Sequence, residues 1–280
     1  MTLYFLLALR NAVSPNPVLV ETFSLLRKRG FNIEIGMGQE LLLPLDNLAV
    51  TRDLYILKSH TALWLSLAEI IHARGGRLLN PFPACLAAQN KIVAVERMRA
   101  GGVPTPRSWV TGNPSLLRSI VEEHPVIIKP YNGGRGLGIR IVQRSRELAK
   151  SRPPREPVVV QEYIRHDDEV KVYVIGEEVF GIRMRAGDGR RWSGAISDEV
   201  REIALRCGRL FGLGLYGLDV IESAEGPLVV DMNYFPSYRD VPNAAALLAD
   251  FIEDYALAPA STRLRRKMGG TDTVIRASAQ

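Results

Sequence analysis

Cysteine is scarce: the 280-residue chain has two, Cys85 and Cys207, and they do not form a CxxC pair. That excludes a disulfide scaffold and a cysteine-based zinc site. Two buried, reduced thiols are the expectation, Cys207 on the apolar face of a predicted helix. Long apolar runs are missing too. The N-terminal run "MTLYFLLALR" stops at Arg10, too short for a membrane span. It has no basic residue before it and no small-residue cleavage site after it, so it does not read as a signal peptide. It reads as a buried first strand of a cytoplasmic protein with no membrane partner. A Gly-Lys-Ser/Thr phosphate loop is absent, as is any internal repeat. Basic residues are scattered and match no nucleic-acid reader motif, so no nucleic acid is expected.

What is present is ordinary for a globular enzyme: 46% hydrophobic and 24% charged residues. The length allows two or three packed units. A net charge of +6 and a pI of about 9.4 suit nucleic acid, an anionic surface or a phosphorylated small molecule as a partner, or serve solubility alone. Part of that charge is "RLRRK", Arg263–Lys267, in a C-terminal stretch (259–280) expected to be a disordered tail.

Residues 1–85 alternate strand and helix. Leu3–Leu9, Phe31–Gly36 and Asp53–Lys58 read as strands. Val18–Arg29 and the segment from Thr61 read as helices, stopped by Gly30 and by Gly75–Gly76. That order predicts an open α/β sheet. Residues 86–165 form a second unit: a helix over Asn90–Gly102, an extended stretch at Pro104 and Pro106, and strands at Val126–Lys129, Ile139–Val142 and Pro157–Ile164. Residues 166–258 form a third. It has a hairpin turning at Gly176, an amphipathic helix over Ser197–Leu213, and strands "LYGLDVIES" and "GPLVVDMNYF". A last helix is capped by Asn243. The fold class is α/β (α+β).

"VIIKPYNGGRGLGIRIV", Val126–Val142, carries Gly133, Gly134, Gly136 and Gly138. A strand follows the glycines, where a dinucleotide fingerprint needs a helix. The stretch is a strand–loop–strand flap. Such a flap lets backbone N–H groups approach a phosphate, with Lys129 adding charge; a long hairpin loop without a ligand is the other reading. Further on, Asp219 ends "YGLD", and Asp231 and Asn233 lie in the apolar "LVVDMNYF". Asp231 and Asn233 share one side of a strand, and antiparallel pairing brings Asp219 near. Three hard oxygen donors there suit Mg²⁺ better than they suit a solvent-facing sheet.

These motifs, in this order, resemble the ATP-grasp superfamily over roughly Leu3 to Leu257. The resemblance implies an ATP-grasp fold with an N-terminal pre-ATP-grasp α/β domain, a lid and a C-terminal sheet. It implies ATP and Mg²⁺, with Mn²⁺ as an alternative, as cofactors. It places Lys91, Lys129 and the flap on the phosphates. Gln161 and Glu169 would also contact the nucleotide, and Glu162, Tyr163 and Ile164 would bracket adenine through backbone groups. Asp219, Asp231 and Asn233 would hold the metal, with Asp231 where many relatives carry Glu. Arg183 and Lys171 would act on the transferred phosphoryl. Lys58, His166 and Ser237 would contact a small anionic substrate.

Two branches compete. "GGRGLGI" is similar to the RimK-type carboxylate–amine ligases, the first choice, which work through an acyl-phosphate. "DMNYFPSYRDVP" and His166 are similar to the inositol 1,3,4-trisphosphate 5/6-kinases. A kinase would need further cations, with Lys58, His60, His166, Lys171, Arg183, Arg185 and Arg239 as candidates. A non-catalytic nucleotide sensor fits the intact Lys, Arg and acid set poorly. A homo-oligomer is compatible with all of these. Tyr234, Phe235 and Tyr238 are expected to pack rather than to stack on a ligand.

Overall fold

The computed structural model describes residues 1–8, 15–46, 48–132, 137–148, 156–166, 168–185 and 190–258. Gly133, Gly134, Gly136 and the tail 259–280 lie outside the described residues.

The N-terminal sheet is parallel, as continuous apolar strands predict. Its strands are β1 (Thr2–Leu7), β2 (Asn32–Met37), β3 (Leu54–Leu57) and β4 (Leu78–Leu79), in the order β2-β1-β3-β4. Helix α1 (Pro17–Lys28) joins β1 to β2, and α2 (Ala62–Ala73) joins β3 to β4. Asn16 caps α1 and Thr61 caps α2, each accepting from a first-turn N–H. Leu6 pairs with Leu57, so Ala8 and Lys58 leave the sheet together at its carboxyl edge. The strand order reverses between β1 and β3, where open α/β sheets form a ligand crevice.

Two helices follow, α3 (Phe82–Gln89) and α4 (Lys91–Ala100). A small lid sheet comes next: β5 (Ser108–Thr111), then helix α5 (Arg118–Glu123), then β6 (Val126–Pro130), β7 (Arg140–Val142) and β8 (Val158–Glu162), in the order β5-β8-β6-β7. One face buries Val126, Ile128, Val158 and Val160 with Leu117 and Val121 in a core of its own. Strand alternation turns Ser108, Ile127, Lys129 and Gln161 to the other face.

The third sheet is antiparallel, in the order β11-β10-β9-β12-β13. Its strands are β9 (Asp168–Ile175), β10 (Glu178–Arg185), β11 (Arg191–Ser193), β12 (Leu215–Ser223) and β13 (Gly226–Tyr234). Between β11 and β12 runs α6 (Asp198–Phe211), capped by Ser197 and burying Val200, Ile203, Ala204, Cys207 and Phe211 as their spacing predicts. The Tyr216 hydroxyl donates to Ala204 O of α6. The even-numbered residues of β12 therefore face α6, and Gly217, Asp219 and Ile221 face the other way.

Helix α7 (Ala244–Leu257) closes the fold against α1. Asn243 does not cap it through its side chain: its φ is 52°, left-handed, and only its carbonyl receives Ala246 and Leu247 N–H. The N-terminal and C-terminal sheets share one hydrophobic core. Asn80, fully buried, fastens them. Its Oδ1 accepts from Gly214 N at 2.9 Å and Leu215 N at 3.0 Å, and its Nδ2 donates to Leu215 O at 2.7 Å.

Candidate active site

A cavity of about 880 Å³ lies between the inner face of the lid sheet and the α6-distal face of the C-terminal sheet. It reaches the carboxyl edge of the N-terminal sheet, through Ala8, Lys58, Ser59, His60 and Thr61. Its floor is set by strand register. Lys171, Asp219 and Asp231 stand directly opposite one another across β9, β12 and β13. The next row toward the N-terminal sheet is Tyr173, Gly217 and Asn233. The row on the lid side pairs Glu169 with Ile221. Gly217 leaves the middle of its row without a side chain, and Pro236 packs over it: a Cβ there would lie 3.2 Å from Pro236 Cγ and 3.1 Å from Val172 O.

Each floor acid has an ammonium partner. Lys171 Nζ donates to Asp219 Oδ1 at 2.9 Å and lies 3.7 Å from Glu169 Oε1. Burial works against the Lys171 charge, but Asp219 and Glu169 outweigh it and raise its pKa. Lys91 Nζ, from the first turn of α4, donates to Asp231 Oδ1. Lys129 Nζ donates to Val230 O at 2.9 Å. Val230 is the extra residue of a bulge: Asp219 pairs with Asp231, but Val220 pairs with Val229. The bulge leaves that carbonyl outside the ladder, where Lys129 can take it. Burial holds the Lys129 ammonium below its usual range, Asp231 opposes the shift, and nearby Lys91 adds to it.

The donor set fits Mg²⁺: carboxylates at Asp219 and Asp231 with the Asn233 amide on the same face, all hard oxygens. Among the described residues no group of three or more His, Cys, Asp or Glu that could hold a metal forms, so a third protein oxygen would have to come from that amide.

Other expected residues divide. Glu169, His166, Lys58 and Ser237 line the cavity. Lys58 is 6% exposed and donates to Phe235 O at 2.6 Å. His166 Nδ1 lies 2.8 Å from Ile164 O. Gly138 has φ +77°, and a Cβ there would lie 2.9 Å from Pro130 Cγ, so the flap's return needs glycine. The N–H groups of Glu162 and Tyr163 already donate to Arg107 O and Pro125 O, both at 2.9 Å, so a contact of these two with a base would be made through their carbonyls. One expectation needs correction. Arg183 pairs with Val170 in register, on the α6 face, and forks onto Glu222 at 2.6 and 3.0 Å. The cavity face of β10 is Phe180, Ile182 and Met184 instead. Arg185 shares the Arg183 face and reaches Asp168 Oδ1 at 3.3 Å.

Arg191, Asp240 and Gln89, which the sequence did not single out, take up positions here beside His60, a candidate cation of the kinase reading. Arg191 pairs with Met184 and so faces the cavity side. Its Nη1 donates to Asp240 Oδ2 at 2.8 Å, and the Tyr173 hydroxyl donates to the same oxygen at 3.1 Å. His60 Nδ1 lies 2.8 Å from Gln89 Oε1, and Gln89 Nε2 donates to Asn132 Oδ1 at 3.0 Å, at the root of the flap. The His60 ring stacks on Tyr234 at 3.9 Å. Tyr234, Phe235 and Tyr238 are fully buried packing residues.

The model of the RimK-like ATP-grasp domain matches residues 88–246, more than half of the chain. The chain belongs to the RimK-like ATP-grasp family. A probable alpha-L-glutamate ligase of Haemophilus influenzae (strain PittEE) is 24% identical over 217 residues, 69% of this chain and 73% of that protein. Among solved structures, a RimK domain ATP-grasp protein of Sphaerobacter thermophilus DSM 20745 superposes with a TM-score of 0.76 at 16% identity, over 90% of this chain and 99% of that one. The ATP-grasp ligase PsnB, solved with a minimal precursor, Mg and ADP, gives 0.67 at 21% identity, over 90% and 96%. The fold is therefore ATP-grasp. This RimK-like chain is an ATP-grasp ligase of the carboxylate–amine type, and the kinase reading of "DMNYFPSYRDVP" finds no specific support. Among the described residues no helix is long and apolar enough to cross a membrane.

Proposed function

We propose that the cavity binds Mg-ATP between lid and floor and uses it to join an amino acid to a small anionic carboxylate. The observation that carries this reading is the row Lys171–Asp219–Asp231, with Lys91 and Lys129 converging on it. Phosphates lie against Lys129, Lys91 and the flap. Mg²⁺, when held by Asp219, Asp231 and Asn233, offsets the charge of the phosphate oxygens. The acceptor carboxylate lies at the N-terminal end, near Lys58, Ser237 and His166. The glutamate in the name of the Haemophilus relative gives the class of the amine.

A carboxylate oxygen attacks the γ-phosphorus, the bond to the β-phosphate oxygen breaks, and ADP leaves with that electron pair. The amine nitrogen then attacks the acyl carbon. The C–O bond to phosphate breaks, phosphate leaves with its electrons, and the nitrogen loses a proton to the departing phosphate. Lys171 and Arg191 flank the region where negative charge builds on the moving phosphoryl, and they act by fixed charge. Lid closure excludes water that would hydrolyse the acyl-phosphate.

The test is stoichiometry. Purified protein with Mg-ATP, candidate carboxylates and amino acids should release one phosphate per ADP, together with an amide detected by mass. ADP without free phosphate would overturn the reading.

A further inference from the structure

Asp240 has no part in the proposed reaction, yet one of its oxygens joins two residues that stand beside the floor. Oδ2 accepts from Arg191 Nη1 at 2.8 Å and from the Tyr173 hydroxyl at 3.1 Å.

Register shows what this sharing does. Arg191 starts in the lid-side row: it pairs with Met184, and Met184 pairs with Glu169. Tyr173 lies four residues beyond Glu169 on β9, about 13 Å along the strand. The row Lys171–Asp219–Asp231 lies between them. A bond to the oxygen that Tyr173 also holds therefore lays the Arg191 side chain alongside that row, toward the N-terminal sheet. Arg191 is accordingly among the charges felt by Lys171 and by Tyr173.

The two ends of this bond differ in firmness. Arg191 comes from the three-residue edge strand β11, and its side chain is 50% exposed. A long cation in that setting keeps many rotamers. Asp240 comes from a segment tied down at three points. Lys58 donates to Phe235 O, Asn16 Nδ2 to Ser237 O at 2.9 Å, and the buried Tyr238 hydroxyl to Val174 O at 2.8 Å. As a stabilising ion pair, one so exposed is worth little. As a mount it is effective. It takes one of the five guanidinium N–H donors and, among the described residues, leaves the others for an anion.

We infer that Asp240 is a positioning residue that, shared with Tyr173, fixes the Arg191 guanidinium beside the floor acids on the side of the acceptor's seat. It touches neither phosphoryl nor carboxylate and acts through Arg191. A guanidinium held there meets the phosphoryl as it passes from ADP to the carboxylate, and one that swings toward solvent meets it only part of the time. The inference rests on the proposed reaction and adds the residue that aims one of its charges.

The experiment measures binding of Mg-ADP by calorimetry, with and without aluminium fluoride, a mimic of the phosphoryl in transit. Fluoride should tighten ADP binding to the wild type by about 100-fold or more. Asp240→Ala should cut that gain by at least about tenfold and leave the affinity for ADP alone within about threefold. Asp240→Asn, which still offers one oxygen to both donors, should keep the gain within about threefold of wild type. Arg191→Met should cut the gain as Asp240→Ala does, and adding Asp240→Ala to it should cost no more than about twofold further. Where Asp240→Ala does not fold, Tyr173→Phe takes its place, with a loss of about threefold or more that vanishes beside Arg191→Met. A full gain in Asp240→Ala or in Arg191→Met would overturn the inference. So would losses that multiply in the double variant, or an Asn variant as impaired as the Ala variant. Failure of folded wild-type protein to bind ADP, or to bind it more tightly with fluoride, would instead overturn the proposed function, and the inference with it.

Discussion

Lys91 and Asp231, 140 residues apart in the chain, meet in an ion pair between the first turn of α4 and the middle of β13. Asp219 is matched in the same way by Lys171, 48 residues away. The two acids that would take Mg²⁺ are each paired with an ammonium of the chain itself. Phosphates would draw the ammonium groups off and release the acids. Metal and nucleotide should therefore bind together. Mn²⁺ binding followed by electron paramagnetic resonance should be at least about tenfold tighter with ADP than without it. Lys91→Met should strengthen nucleotide-free Mn²⁺ binding by about tenfold, since a unit charge at this range outweighs screening. Equal Mn²⁺ affinity with and without ADP would refute the exchange.

Replacing Asp231 by Asn keeps an oxygen for Lys91 but removes the carboxylate charge. Turnover should fall about 10²- to 10³-fold. Melting should move by only about 2–4 °C, because the Lys91 hydrogen bond persists in neutral form. Thermal melts and phosphate release on the same preparation check this. Near-normal turnover would remove Asp231 from the metal site.

Arg183 and Arg191 separate the two faces of one sheet. Arg183→Met should leave kcat within about threefold, because its pair with Glu222 is partly exposed and worth little. Arg191→Met should lower kcat by at least about tenfold while ATP affinity changes less. The reverse ranking would place the wrong face of β10 over the phosphoryl.

Burial of Lys129 sets stability against the phosphate binding proposed for it. Its folded pKa is lowered, chiefly by burial, from the ordinary 10.5. Between the lowered value and 10.5 the unfolded chain holds more protons at this residue, so stability contributed here rises with pH across that window. Below it the folded protein bears the full burden of a buried charge. Lys129→Met, without nucleotide, should therefore melt no lower than wild type at pH 7, and its relative advantage should shrink as pH approaches 10.5. Its affinity for ADP should drop by at least about tenfold. Melts across pH, with calorimetry at pH 7, decide it. A relative advantage that grows with pH would contradict the assignment.

Much of this was legible in the chain. Asp219, Asp231 and Asn233 stood out because acids and amides are rare inside apolar strands, and period two put the latter pair on one side. The β1-to-β3 region and α6 followed from continuous apolar runs and helical spacing. Arg183 was misread because a hairpin's register decides which parity faces which side, and Gly176 alone does not fix it. Arg191 sits on a three-residue edge strand, too short to show a period. The contact of Lys58 with Phe235 spans 177 residues, and nothing local signals it. The sharing of Asp240 between Tyr173 and Arg191 spans 67 and 49 residues, which no spacing within "DMNYFPSYRDVP" reveals.

Asn80 ties the carboxyl-edge domain to the strand that bears Asp219, and one core runs beneath both, while the lid sheet keeps a core of its own. The molecule is thus an anvil and a hammer. In the proposed reaction the separation between the acceptor's seat and the acids would be cast into the anvil and would not vary with the stroke. Only the nucleotide's cover would travel. Alignment of the reacting atoms would then be a property of the resting body, and closure would set when the chemistry happens, not where.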